Sequence, residues 1–166
     1  MNAVDLKTEV EKLLHANNLS FCFACGKCTA VCPMLDFYGE YDYARSPRGI
    51  VEGLAIDPGK TDDEALWYCL TCQACTFYCP CGIDFQTFMT ELRELLLKHG
   101  FKEYAFFCSA CGNYFMPKKE MEYIKRILNG KRSCDYVHLC PECRKKDYGE
   151  TLHRLACIPN KLIKKS

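Results

Sequence analysis

The sequence predicts a mainly α protein in two units: an all-helical one over residues 1–100 that wraps two metal-binding cysteine runs, and a small α/β one over residues 101–166. Three observations lead there. The run Cys22, Cys25, Cys28, Cys32 is written a second time as Cys69, Cys72, Cys75, Cys79, each time followed by proline. The stretches around both runs carry apolar residues at helical spacing. Past Gly100 the texture changes to short aromatic pieces flanked by two further Cys-x-x-Cys pairs.

In chain order, Leu6, Val10, Leu13 and Leu14 put one apolar face on an amphipathic helix over residues 5–16. Ser46-Pro47 reads as an N-cap with proline at the first helical position, starting a short helix through Ile50, Val51 and Leu54. Asp57-Pro58-Gly59 turns the chain. Thr61 and Glu64 have the spacing of a capping box, which predicts a helix carrying Leu66 and Trp67 into the second cysteine run. Asp84 is placed to cap a helix striped by Phe85, Phe88, Met89, Leu92, Leu95 and Leu96, ending near Gly100. Then come FKEYAFFC and NYFMP, a basic helix over Lys118–Leu128, a turn at Asn129-Gly130, a strand-like DYVHLC and a basic tail, ETLHRLACIPNKLIKKS.

Charge divides the chain at the same place. Residues 1–100 hold 8 basic and 14 acidic side chains, net −6, whereas residues 101–166 hold 14 and 7, net +7. Four thiolates on an oxidised iron–sulfur cube or on zinc leave about −2 per site, so three filled sites would bring the protein to about −5. Fifteen cysteines among 166 residues would suit a disulfide scaffold in a secreted protein. The odd count, the tight Cys-x-x-Cys groupings and an N-terminus with early acids and no apolar run point instead to metal ligation in a cytoplasmic protein. No stretch approaches the roughly 18 to 20 apolar residues that a membrane span needs.

A loop with a thiol at every third residue can wrap three corners of a cubane, and the fourth cysteine, turned away by its proline, is better placed for the neighbouring cluster. This reading gives one [4Fe-4S] cluster to Cys22, Cys25, Cys28 and Cys79, and the other to Cys69, Cys72, Cys75 and Cys32. Gly26 and Ala74 lie beside these cysteines, where a close cluster leaves little room for a side chain. Zinc knuckles would leave the third cysteine of each run without a role. Cys81 is left over, either a packed thiol or a replacement for Cys79; Cys134 and Cys157 read as small buried hydrophobes.

The stretches SPRGIVEGL, ALWYCLTCQACTFYCP and GIDFQTFMTELREL resemble the two-cluster, all-helical ferredoxin domain of the small iron–sulfur subunit of heterodisulfide reductase. Similar domains occur in the iron–sulfur subunits of succinate dehydrogenase, fumarate reductase and glycolate oxidase. The resemblance covers about residues 1–100. It implies electron relay inside a hetero-oligomer, between a flavin or other redox subunit and a catalytic subunit, without catalysis by this chain.

Beyond Gly100 the resemblance stops. Cys108, Cys111, Cys140 and Cys143 have the form of two zinc knuckles 28 residues apart, which predicts a zinc-ribbon-like unit with a structural zinc. A rubredoxin-like iron is the alternative, weakened because Arg144 stands where rubredoxin's second knuckle usually continues with glycine. Gly59-Lys60-Thr61 imitates the end of a phosphate-binding loop, but position 54 is leucine. His15, His99, His138 and His153 are scattered, and Asp62-Asp63 read as helix-start charges. The competing reading, an iron–sulfur regulator that binds nucleic acid, would use Lys118, Lys119, Lys125 and Arg126 as one helix face. The acidic first unit opposes it.

Overall fold

Ser46 accepts a hydrogen bond from the Gly49 amide at 2.9 Å, and Asp84 from the Thr87 amide at 3.1 Å, so the two helices that carry most of the core start where their capping residues dictate. The computed structural model describes residues 3–128 and 134–156, with side chains over 5–128 and 136–154. Its elements are helices α1 (Ala3–Ala16), α2 (Lys27–Ala30), α3 (Met34–Tyr38), α4 (Pro47–Ile56), α5 (Ala74–Phe77) and α6 (Phe85–Lys98), strands β1 (Ala105–Phe107) and β2 (Tyr114–Pro117), then α7 (Lys118–Leu128), α8 (Cys134–Val137) and α9 (Pro141–Ala156). Over the described residues the protein is therefore mainly helical with one small sheet.

The core is one cluster. Leu6, Val10 and Leu14 of α1 meet Phe88, Leu92 and Leu96 of α6, and Ile50, Val51 and Leu54 of α4 close it together with Trp67. The α1–α6 pair is also tied at both ends. His99 contacts Glu9 at 2.6 Å, and the Asn17 amide donates to Glu91 at 2.9 Å. Burial of this stripe, at about 25 cal/mol per Å² of apolar surface, is what holds α6 against its neighbours.

β1 and β2 form an antiparallel pair, with Ala105 opposite Pro117 and Phe106 opposite Met116, and an irregularity before Phe107. The pair is not free-standing. Ala105 is part of the core cluster, and Tyr114 meets Trp67 edge-on with ring centroids 5.9 Å apart.

Four expectations need correction. The segment into the second cysteine run is a single 3-10 turn, Glu64–Trp67, capped by Asp63, whose carboxylate takes the Ala65 amide at 2.8 Å. Thr61 is buried instead, its hydroxyl donating to the Gly59 carbonyl at 3.4 Å. The piece DYVHLC is not a strand. Its start is the single turn α8, whose Tyr136 and Val137 carbonyls accept from the Arg144 guanidinium at 3.1 and 2.9 Å, so side-chain donors replace a strand partner. Glu150–Ala156, expected as tail, continue α9. The Asn129-Gly130 turn, the side chain of Cys134, and Cys157 with the residues after it lie outside the described residues. Among the described residues no helix is long and apolar enough to cross a membrane.

Candidate metal centres

The two cysteine runs fold alike because their backbones repeat a sterically unusual conformation. Ala24 (φ 60°) and Gly26 (φ 79°) in the first loop have counterparts in Thr71 (φ 48°) and Gln73 (φ 68°) in the second, and each loop then enters a one-turn helix, α2 or α5. Left-handed backbone at a β-branched threonine and at a glutamine is costly, and such strain collects at functional sites. It turns successive amides inward, the arrangement that cradles anions. The Thr71 amide donates to the Cys69 Sγ at 3.4 Å. Its conformation, φ 79°, is by itself a reason for glycine at position 26, while the protein's own atoms leave room there, the Arg48 guanidinium being the nearest at 4.0 Å. Its counterpart is Gln73; Ala74 opens α5.

The structure gathers the eight motif cysteines around two neighbouring cavities. Cys22, Cys25, Cys28 and Cys79 line the first, with Cys75 and Cys81 also on its wall. Cys32, Cys69, Cys72 and Cys75 line the second. Pro47, Cys75 and Phe85 stand on both, so the cavities share a partition. The last cysteine of each run thus lies among the first three of the other.

Burial pushes the thiols of Cys28, Cys32, Cys69 and Cys75 up, Cys75 to about 12, and neighbouring thiolates add to the effect. Amide donors from Thr29, Met34 and Thr71 oppose it at Cys28, Cys32 and Cys69. Thiols held protonated by their surroundings ionise when a cationic metal core displaces the protons. The donor set and the inward amides fit an anionic iron–sulfur core.

Cys108, Cys111, Cys140 and Cys143 form a different kind of group, with all four sulfurs within 4.8 Å of one another. Cys111 and Cys140 are 3.8 Å apart, and the edge of a tetrahedron with metal–sulfur bonds of 2.3 Å is about 3.8 Å. These residues could hold one metal ion. Among the described residues no other set of three or more potential ligands converges so closely. The corners of a cube keep their thiolates farther apart than a single ion does, so the eight motif cysteines are set out differently. Gly112 at φ 72° turns the first knuckle, and the Cys140 amide donates to the Cys108 Sγ at 3.2 Å, which with further amides lowers that thiol.

Three arginines stand near the cavities; Arg48 and Arg93 fall within the stretches that carry the resemblance, but no role follows from the sequence for any of the three. Arg45 lines the second cavity and Arg48 the first. Arg93, on α6, is buried and donates to the carbonyls of Leu66 and Cys69. A further sequence signal is position, Arg45 and Arg48 astride Ser46-Pro47 and Arg93 inside an otherwise apolar stripe. Four exposed rings, Phe21, Phe23, Phe77 and Tyr78, flank Cys22 and Cys79. The basic residues of α7 do not make one free face. Lys119 pairs with Glu64 at 3.7 Å, Arg126 donates to the Phe37 carbonyl at 3.3 Å, and Lys125 lies over the Phe106 ring.

Residues 18–83, which include all eight motif cysteines, match the family model of the 4Fe-4S dicluster domain. The chain is 34% identical over 98 residues to the C subunit of the ferredoxin:CoB-CoM heterodisulfide reductase of Methanosarcina mazei, covering 58% of each protein. It is 30% identical over 88 residues to an Archaeoglobus profundus protein described as like the C subunit of heterodisulfide reductase, covering 53% of this chain and 46% of that one. To the probable glycolate oxidase iron-sulfur subunit of Bacillus subtilis it is 28% identical over 98 residues, 55% of this chain and 22% of the relative. The chain thus spans about half the length of its heterodisulfide reductase relatives. No solved structure matches it.

Proposed function

From a 4Fe-4S dicluster segment at residues 18–83, we propose that the chain is an electron-transfer subunit, relaying single electrons between a flavin or other redox subunit and the catalytic subunit of a heterodisulfide-reductase-like complex in the cytoplasm. The observation that carries this reading is the pair of cysteine-lined cavities with a common wall. Two [4Fe-4S] clusters there would supply one-electron carriers whose potentials depend on their surroundings. Cys22, Cys25, Cys28 and Cys79 hold one, and Cys32, Cys69, Cys72 and Cys75 the other. The residues named around the cavities bury, orient and charge-balance the thiolates; none of them forms a Ser-His-Asp or similar catalytic set.

In this proposal residues 1–100 are the cluster-bearing unit, and residues 101–166 a zinc-ribbon-like unit with structural zinc on Cys108, Cys111, Cys140 and Cys143. Arg144 supports a structural role, because it clamps the α8 carbonyls beside the ligands. Nucleic acid is disfavoured as a partner, since Lys119 and Arg126 are engaged within the molecule.

The test has two stages. Anaerobically purified protein should contain about eight iron, eight acid-labile sulfide and one zinc; about four iron would sink the two-cluster reading, and nine iron without zinc would favour a rubredoxin-like site. Reconstituted with its partner subunits, the complex should lose electron flow when this chain is cluster-free, while the partners keep their half-reactions with artificial dyes. Full-rate flow through a cluster-free chain would refute the relay.

A further inference from the structure

Arg93 is a buried cation without a carboxylate partner. It is 4% exposed, and among the described residues no Asp or Glu lies within 4.0 Å of its guanidinium. What it does meet is polar but uncharged: the Leu66 carbonyl at 3.1 and 3.0 Å, the Cys69 carbonyl at 2.7 Å and the Trp67 ring at 5.8 Å. Tyr38 of α3, Tyr114 of β2 and Glu120 of α7 also feel its charge. Glu120 does not touch it, no ion pair within 4.0 Å joining the two; burial raises the Glu120 carboxyl and Arg93 opposes the rise. Burying a charge without an opposite charge is among the costliest things a fold can do. No carboxylate touches the guanidinium, but a thiolate site lies beside it, since Cys69, whose carbonyl Arg93 holds, is a member of the second cavity.

We propose that Arg93 is a buried counter-charge of the metal site formed by Cys32, Cys69, Cys72 and Cys75, and that it raises the reduction potential of this site. The inference rests on the two-cluster reading. The thiolate-bound core gains a negative charge on reduction, and a fixed positive charge in a poorly screened interior favours that state. The first cavity has its own cation, Arg48, which lines it directly and is half-buried, with its Nε buried and without a hydrogen-bond partner; Arg93 is assigned to the second site by the Cys69 carbonyl it holds. Lys27, on the wall of the first cavity, is exposed and screened by water. Arg45, on the second cavity, is already neutralised by Glu40 at 3.4 Å and Asp42 at 3.3 Å.

The test is a redox titration of the whole protein followed by EPR, with iron and sulfide counted first. Arg93→Met should lower the potential of the Cys69 site so that its reduced-to-oxidised ratio at a fixed potential drops about tenfold, about 59 mV for a one-electron couple. The other site should move far less, and Arg93→Lys should keep most of the unmodified value. Two intact clusters with unchanged potentials, or equal shifts in both, would overturn the inference and leave the two-cluster reading standing. Fewer than two clusters in the unmodified protein would overturn both. Should Arg93→Met fail to assemble its clusters, Arg93→Gln decides, since it removes the charge but can still donate to a carbonyl. With the Cys69 site's signal identified as the one altered by Cys72→Ser, a lowered potential there supports the proposal and an unchanged one refutes it.

Discussion

Gly49 and Gly53 occupy the same helix, α4, and their surroundings demand opposite outcomes when each becomes alanine. A Cβ at Gly49 would run into the backbone carbonyl of Tyr43, which cannot swing aside as a side chain would. At Gly53 a Cβ would meet nothing within 4 Å. Gly49→Ala should therefore destabilise the protein by at least the ~1–3 kcal/mol of an overpacked site, and Gly53→Ala should stabilise it by about 0.5–1 kcal/mol through helix propensity. Urea melts of the two variants check this, and a shift of the same sign for both would contradict the packing. At this scale the sequence was most legible where the physics is local. Ser46 and Asp84 cap because a short polar side chain just before an apolar helix has amides to satisfy within three residues. Thr61 failed the same test because Asp63, two residues on, lies nearer the amide that needs a partner. Gln73 could not be read at all, since nothing in a glutamine announces φ 68°; only its register with Gly26 in the repeated run does.

Between elements, the decisive relation is the exchange of the last cysteine of each run. Cys32 follows α2 in sequence yet lies in the cavity with Cys69, Cys72 and Cys75, while Cys79 follows α5 and lies with Cys22, Cys25 and Cys28. If those cavities hold the ligand sets proposed above, Cys32→Ser should perturb the spectrum of the cluster on the second run and largely spare the first. Cys79→Ser should do the reverse. Site-resolved EPR or Mössbauer spectra showing each substitution acting on the cluster nearer in sequence would reverse the assignment. The spacing made this exchange readable because proline after the fourth cysteine turns the chain away from its own loop. The two strands stand out in the sequence only as aromatic pieces, FKEYAFFC and NYFMP, while the strand signal itself fell on DYVHLC. That segment, with the same β-prone residues, is no strand, because its fate is set by Arg144 taking its carbonyls. A residue of the next helix overrode local propensity there.

For the molecule as a whole, the question is how far the second unit supports the first. Charge and texture change near residue 100 in the sequence; the packing across that point is not legible there, because it depends on rings that read as unremarkable aromatics. Tyr114 meets Trp67 edge-on, Tyr123 meets Phe37 and Tyr38, and Lys119 sits over the Tyr68 ring while pairing with Glu64. Trp67 and Tyr68 directly precede Cys69, so the second unit presses on the segment that enters the second cysteine run. Aromatic pairs of this kind contribute about 0.5–1.5 kcal/mol each beyond the area they bury. Metal held by Cys108, Cys111, Cys140 and Cys143 would lock the β1–β2 pair to α8 and α9, and loss of a structural metal costs such a unit its folding energy. Cys140→Ser should therefore do more than empty its own site: in urea, the visible absorbance of the clusters should bleach at lower denaturant than in the unmodified protein, and Trp67, the single tryptophan, should become exposed early in near-ultraviolet circular dichroism. Tyr114→Ala, which leaves all four ligands in place, should shift the same midpoint in the same direction by a smaller amount. If Cys140→Ser releases its metal while cluster bleaching and the Trp67 signal keep their midpoints, the second unit is a docking module carried by the first and lends it no stability.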